Sequence, residues 1–329
     1  MAAPISAPAS AQAGLPLPTT GMPRHQVIAL AVMVLFFALA PFAGLYSVFL
    51  MKVMCFALFA CAFNLLLGYV GLLSFGHAAY FGFSSYLAAH AAKAWGFTPE
   101  LAILFAVAGS ALIGLAFGAL AIRRQGIYFA MITLALAQMV FFFCLQAPFT
   151  GGENGIQSVP RPPLFGFIPM QGDMQVYWLV FALFIGGFLL VYRIVHSPFG
   201  QVLKAIRENE PRAISLGYRV DHYKLIAFVL SAALAGLAGA AKAFVVQLAS
   251  LTDVAWQMSG EVVLMTLVGG MGTMFGPVVG AFTIITMQTY LAEFGAWVTV
   301  IQGGIFLLCV LAFRRGIVGE VARLTRKSF

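Results

Sequence analysis

The sequence predicts an all-α, polytopic integral membrane protein with about ten transmembrane or partly spanning helices. Three observations carry this. The 329-residue chain is 62% hydrophobic and only 9% charged, with a mean hydropathy of +0.99. A soluble domain is roughly half apolar and about a quarter charged. Residues 27–51, 53–92, 101–122, 127–152, 262–292 and 294–313 contain no Asp, Glu, Lys or Arg. The run "LAILFAVAGSALIGLAFGALAI" (101–122) does not alternate, which argues against a β-barrel. In hydrocarbon every backbone polar group must be satisfied within the segment, so these runs should be helices.

In chain order, residues 1–23 are rich in Ala, Pro and Ser and lack a basic n-region before an apolar core. They read as a disordered tail rather than a signal peptide. The expected spans are 27–43, 46–66, 75–94, 101–121, 127–146, 175–193, 225–247, 259–270, 277–292 and 298–313. The eighth is too short to cross unaided and reads as a half-helix. Eight crossings result if the short segments are re-entrant. The division is a tail (1–23), a transmembrane domain (24–316) with a polar loop at 196–223, and a basic tail (317–329).

Basic residues set the orientation by the positive-inside rule. If the spans alternate, Arg24, Arg123, Arg124, Arg193, Lys204, Arg207, Arg212, Arg219, Lys224 and the basic residues of 314–327 share one side. Both termini and the 196–223 loop then face the cytoplasm, and the 147–174 loop faces outward. Lys52, Lys93 and Lys242 fall near outer helix ends, where long stems snorkel. Arg161 lies in the outer loop, in "TGGENGIQSVPRPP" with Glu153, a stretch whose charges suit docking of a soluble partner or that simply turns the chain. This topology accounts for the net charge of +8 without nucleic acid.

Cys55, Cys61, Cys144 and Cys309 all sit in apolar runs and form no CxxC pair; they read as buried thiols. There is no H-E-x-x-H, no paired Cys/His cluster and no Gly-Lys dipeptide, hence no Walker A loop. No metal or catalytic residue is expected, and no cofactor in this chain.

The polar loop is the anomaly. Lys204, Arg207, Glu208, Glu210, Arg212, Arg219, Asp221 and Lys224 concentrate in "SPFGQVLKAIRENEPRAISLGYRVDHYK" (197–224). Ser197-Pro198 reads as an N-cap followed by a helix-starting proline. Phe199, Val202, Leu203 and Ile206 have helical spacing. Pro211 should break or restart the helix and Gly217 should stop it. One or two short amphipathic helices on the cytoplasmic face follow, either as a basic loop that touches lipid or as a docking element for a soluble partner.

Two glycine-rich stretches lie at membrane depth. In "GYVGLLSFGHAAYFG", Gly71, Ser74, Gly76 and His77 read either as close packing or as an unwound segment lining a path. In "LVGGMGTMFGPVVGAF", Gly269 and Gly270 head a segment where Gly272, Gly276 and Gly280 show fourfold spacing, and Pro277 should start a helix. Phe75-Gly76-His77 and Phe275-Gly276-Pro277 occupy similar places in the two halves, a possible internal repeat. Polar candidates at membrane depth are Asn64, Gln138, Gln247, Glu261 and Thr266, with Lys242. Few ionisable groups lie there, which favours energy supplied from outside the membrane over ion coupling.

Several stretches together resemble the inner-membrane permease family of branched-chain amino acid ABC importers, and within it the LivM branch. They are "NLLLGYVGLLSFGHAAYFGFSSYLAA" (64–89), "GIYFAMITLALAQM" (126–139), "TGGENGI" (150–156), "SPFGQVLKAIRENEPRAISLGY" with "KLIAFVLSAALAGLAGA", and "LVGGMGTMFGPVVGAF" (267–282). The resemblance implies a non-enzymatic transport subunit in a bacterial inner membrane. Its partners would be a second, LivH-like permease, two cytoplasmic ATPases of the LivG and LivF kind that carry ATP and Mg, and a periplasmic binding protein. It also implies that Lys204, Ala205, Ile206, Arg207, Glu208, Asn209, Glu210, Ala213, Leu216 and Gly217 belong to a coupling helix seated in the ATPase. Arg207 and Glu208 are then expected at that docking face. Permeases for urea and for aromatic or organic acids share the motifs. A self-sufficient secondary carrier is the rival from another class; a membrane-bound enzyme has no constellation to support it.

Overall fold

A computed structural model describes residues 24–167, 169–170, 172–292 and 316–325, with isolated positions between 297 and 307. The 1–23 tail, most of the 298–313 span and Cys309 lie outside the described residues. The other expected spans are helices: α1 (Arg24–Leu39), α2 (Ser47–Asn64), α3 (His77–Ala94), α4 (Pro99–Ala121), α5 (Ile127–Gln146) and α6 (Asp173–His196). Then come the short α7 (Pro198–Glu208) and α8 (Glu210–Ser215), followed by α9 (Val220–Val246), α10 (Trp256–Gly269) and α11 (Gly276–Leu291). A last helix covers Gly316–Thr325. Among the described residues, five segments are long and apolar enough to cross a membrane: Ser47–Val70, α4, α5, α6 and α9.

The bundle is built around α9. Its run "SAALAGLAGAAKA" presents small residues to α4, α3 and α2. Lipid offers no hydrophobic gain between helices, so contact rests on close backbone approach. A Cβ at Gly236 would sit 2.5 Å from Ser110 of α4, and one at Gly239 would enter the Phe81 carbonyl of α3. On the other side, a Cβ at Gly114 of α4 would lie 2.5 Å from Ala232. Cys55, Cys61 and Cys144 are buried and free.

Among the described apolar helices, α1, α3, α10 and α11 fall short of the hydrocarbon thickness. At 1.5 Å per residue, α10 spans about 21 Å and α11 about 24 Å, against about 30 Å. They form an antiparallel pair in which Gly269 meets Gly276, and Gly280 meets the Met265 carbonyl. The fourfold spacing at 272–280 therefore works differently from expectation. Gly272 is in the connecting loop with φ +73°, and only Gly276 and Gly280 lie on α11. Another of these short helices, α3, begins only after an unwound stretch at 71–76, as its glycines suggested.

One end of the bundle carries α7 and α8. The other carries an ordered cap, where Ile156–Gln157 (β1) pairs antiparallel with Leu248–Ala249 (β2). Lys93 Nζ donates to the Gln157 carbonyl at 2.7 Å. Arg161 is consumed within this cap. Its Nε and Nη2 donate to the carbonyls of Phe244 and Val245 at 2.9 and 2.8 Å, and Nη1 lies 3.1 Å from Asp173. It thereby closes the C-terminus of α9, whose last carbonyls have no intrahelical partner. The docking expectation for this loop keeps only Glu153, which is exposed.

Candidate functional site

The polar loop folds as its cap residues specify. Ser197 Oγ accepts from Gly200 N at 3.3 Å, and Pro198 opens α7. Asn209 Oδ1 accepts from Arg212 N at 3.1 Å and caps α8, with Pro211 in its first turn. Gly217, at φ +88°, ends it. Ile206, Ala213 and Val220 form a small core of their own, with Val202 and Tyr223 against it. Glu210 ties this unit to the bundle. Its Oε1 accepts from Lys224 Nζ of α9 at 2.7 Å and from Gln125 Nε2 of the α4–α5 connection at 2.9 Å.

The ten coupling candidates thus divide by direction. Ile206 and Ala213 are buried, Glu210 is paired, and Asn209 is a cap. Lys204 sits with its ammonium 5.8 Å from the Tyr69 ring centre, a cation–π contact, and desolvation holds it below the usual lysine range. Arg207 Nη1 donates to the Gly68 carbonyl. Ala205, Glu208, Leu216 and Gly217 face away from the bundle. Leu216 is 69% exposed, and Ile214 and Tyr218 extend an apolar patch around it.

α7 rests on the end of α2, where the helix widens into a π turn over Leu65–Val70 that closes at Gly71 (φ +82°). Beside it runs the 270–275 loop. Asn64, 2% exposed, holds the two together: its Oδ1 accepts from Gly272 N at 3.0 Å and its Nδ2 donates to the Thr273 carbonyl at 2.9 Å. Of the path candidates, this junction gathers Asn64, Gly71, Gly269 and Gly270. Thr266, fully buried, bonds the Val262 carbonyl one turn back.

Ser74, Gly76 and His77 gather at the start of α3. A helix that begins inside the bundle has orphan N–H groups that water cannot satisfy. Ser74 Oγ accepts from Gly76 N, Thr133 Oγ1 of α5 from Phe75 N, and Ser259 Oγ of α10 from Ala78 N, at 3.2, 3.2 and 3.0 Å. His77 Nε2 lies 2.8 Å from Ser231 Oγ, which itself donates to the Ala62 carbonyl at 2.6 Å. Ser231 therefore accepts from His77, which fixes the Nε2–H tautomer. Thr273 does for α11 what Ser74 does for α3, accepting from Gly276 N at 3.1 Å. The two FG tripeptides differ in detail: Gly76 caps α3 and bonds two residues back, whereas Gly276 is the first residue of α11 and bonds three back. Gln138 stands apart, half-buried on α5.

Sequence reasoning missed Thr133, Ser231 and Ser259, for which the only signal is a hydroxyl within an apolar helix. It also missed Asp253. Lys242, expected to reach water, is 8% exposed and ion-paired with Asp253, itself 3% exposed. Lys52 and Glu261 lie within electrostatic range of this pair, and Gln288 Nε2 donates to Glu261 at 3.1 Å. Among the described residues no group of three or more His, Cys, Asp or Glu side chains is placed to hold a metal.

A sequence model of the family described as branched-chain amino acid transport system permease component matches residues 45–311. The high-affinity branched-chain amino acid transport system permease protein LivM of Salmonella typhimurium is 26% identical over 281 residues, 78% of this chain and 66% of its own. The autoinducer 2 import system permease protein LsrC of Klebsiella pneumoniae is 29% identical over 199 residues, covering 56% and 55%. The probable LivH permease protein of Methanocaldococcus jannaschii is 32% identical over 127 residues, covering 37% and 36%. The chain thus spans about two thirds of the length of the LivM relative. No solved structure matches it.

Proposed function

We propose, from the premise that this chain belongs to the permease-component family of branched-chain amino acid transport systems, that it is one membrane subunit of an ATP-driven amino acid importer. The observation that carries this is the α7–α8 unit. It is a separately cored element at one end of a bundle of apolar helices, and it turns Glu208, Leu216, Ile214 and Tyr218 outward. An apolar patch ringed by charge suits a soluble protein partner rather than lipid tails. The partner is the ATPase pair that this chain lacks any phosphate loop to replace. Arg123, Arg124, Arg193 and Arg212 belong to the same end, which by the positive-inside rule supports a cytoplasmic orientation for it in a bacterial inner membrane.

The mechanism is alternating access. ATP-driven closure of the ATPases favours one bundle arrangement over another, and the chain itself performs no chemistry. The second permease is a LivH-like chain, and a periplasmic binding protein selects the ligand. The substrate is a branched-chain amino acid; the likeness to LsrC adds autoinducer 2 to the panel.

The test is uptake by proteoliposomes holding the purified complex, trapped ATP and labelled leucine. Uptake should persist when proton and sodium gradients are collapsed and stop when ATP is withheld. Uptake that follows an ion gradient without ATP would show a self-sufficient carrier instead.

A further inference from the structure

On α7, Lys204 and Arg207 are three residues apart, so both side chains lie over one face. That face meets the π turn of α2, with Lys204 over the Tyr69 ring and Arg207 on the Gly68 carbonyl. The Gly68 carbonyl lies at a helix C-terminus, where a guanidinium is favoured both as donor and as cation.

The surroundings are cut to fit this side chain. A Cβ at Gly71 would lie 3.1 Å from Arg207 Cγ, and one at Gly272 would lie 3.1 Å from Arg207 Nη1 and 3.3 Å from the Gly68 carbonyl. A Cβ at Gly68 would lie 2.7 Å from Gly272 N. Gly71 and Gly272, about 200 residues apart in the chain, therefore leave room for the exposed Arg207 side chain to lie against them, while Gly68 lets the two segments approach. Asn64 already locks those segments to each other through Gly272 and Thr273. The guanidinium sits on the seam they make. From this seam hang the two helices that begin inside the bundle, α3 through residues 71–76 and α11 through residues 270–275.

We propose that Arg207 is the positioning residue through which a displacement of α7 reaches the seam between α2 and the 270–275 loop. The proposal rests on the reading of α7 as the ATPase-coupled element. It separates two duties on one helix: Glu208 and the Leu216 patch receive the motion, and Arg207 delivers it. The charge on Arg207 acts inside this chain.

The experiment compares the purified complex carrying wild type, Arg207→Met or Arg207→Lys in proteoliposomes. Leucine uptake and ATP hydrolysis are measured together. Arg207→Met keeps the stem against these glycines and loses the donors. The number of leucines carried per ATP should fall at least about tenfold in it, and Arg207→Lys should recover part of the loss. A second readout needs no substrate. Met271, 45% exposed on the loop, is replaced by cysteine. Its labelling rate should change on ATP–vanadate trapping with Arg207 present and stay constant with Arg207→Met. Uptake and hydrolysis falling by one common factor, or an unaltered leucine-to-ATP ratio, would overturn the proposal. So would a labelling change that survives Arg207→Met. If Arg207→Met does not assemble, Arg207→Lys is judged alone, and a wild-type ratio and wild-type labelling change in it overturn the proposal. Wild type that neither carries leucine nor responds to ATP would remove the importer reading, and this proposal with it.

Discussion

Lys224 is 2% exposed, and its ammonium lies 2.7 Å from the Glu210 carboxylate, whose side chain is 20% exposed. The lysine belongs to α9, the central helix, and the glutamate to α8. The pair therefore fastens the polar unit to the bundle's axis. Removing one member of a buried pair strands the other charge, whereas replacing both by apolar groups is close to neutral. Glu210→Ala is expected to cost about 3 kcal/mol, read as a lower melting temperature in detergent. Glu210→Leu combined with Lys224→Met should regain most of it. Losses that simply add in the double variant would refute the pairing.

Leu216 carries the docking prediction. It is 69% exposed and makes no part of the small core under α7 and α8. Leu216→Asp should leave the melting temperature of the isolated chain unchanged. It should lower ligand-stimulated ATP hydrolysis in the complex about tenfold, a loss of about 1.4 kcal/mol in association. Glu208→Ala, exposed on α7, should act in the same direction and less. Full stimulation in Leu216→Asp would mean that the ATPases bind elsewhere.

At the opposite end, Arg161 supplies the last carbonyls of α9 with donors, and its tie to Asp173 is incidental. Asp173 is 56% exposed, so that ion pair contributes little in water. Arg161→Ala should open the cap by about 1–2 kcal/mol, visible as faster hydrogen exchange at 156–159 and 244–249. Asp173→Asn should stay within about 0.5 kcal/mol. Equal effects of the two substitutions would show that the ion pair, not the helix end, is what matters.

Close approach can be tested with two glycines. A methyl at Gly239 meets the Phe81 carbonyl, while one at Gly260 meets nothing within 4 Å. Gly239→Ala should destabilise by about 1–3 kcal/mol. Gly260→Ala, in the same kind of backbone, should be neutral or gain up to about 1 kcal/mol from helix propensity. Thermal unfolding in one detergent compares them, and a tolerated Gly239→Ala would mean that α3 and α9 are less tightly packed than described.

What the sequence determined by itself is everything governed by local chemistry. Hydropathy and run length place the helices from α1 to α11 within a few residues. Cap chemistry at Ser197, Pro198, Pro211 and Gly217 places α7 and α8 and the break between them. Glycine content marks residues 71–76 and 270–275 as irregular, and Gly71, Gly270 and Gly272 take positive φ there. The tertiary structure alone decided which way the polar groups turn. Arg207 points back to Gly68 across 139 residues, and Asn64 reaches Gly272 across 208. Lys242 finds Asp253, and the orphan amides of α3 find hydroxyls on α5 and α10. A buried donor or charge must be satisfied, and this much a sequence states. The partner that satisfies it is fixed by how the helices pack, which no periodicity along the chain records.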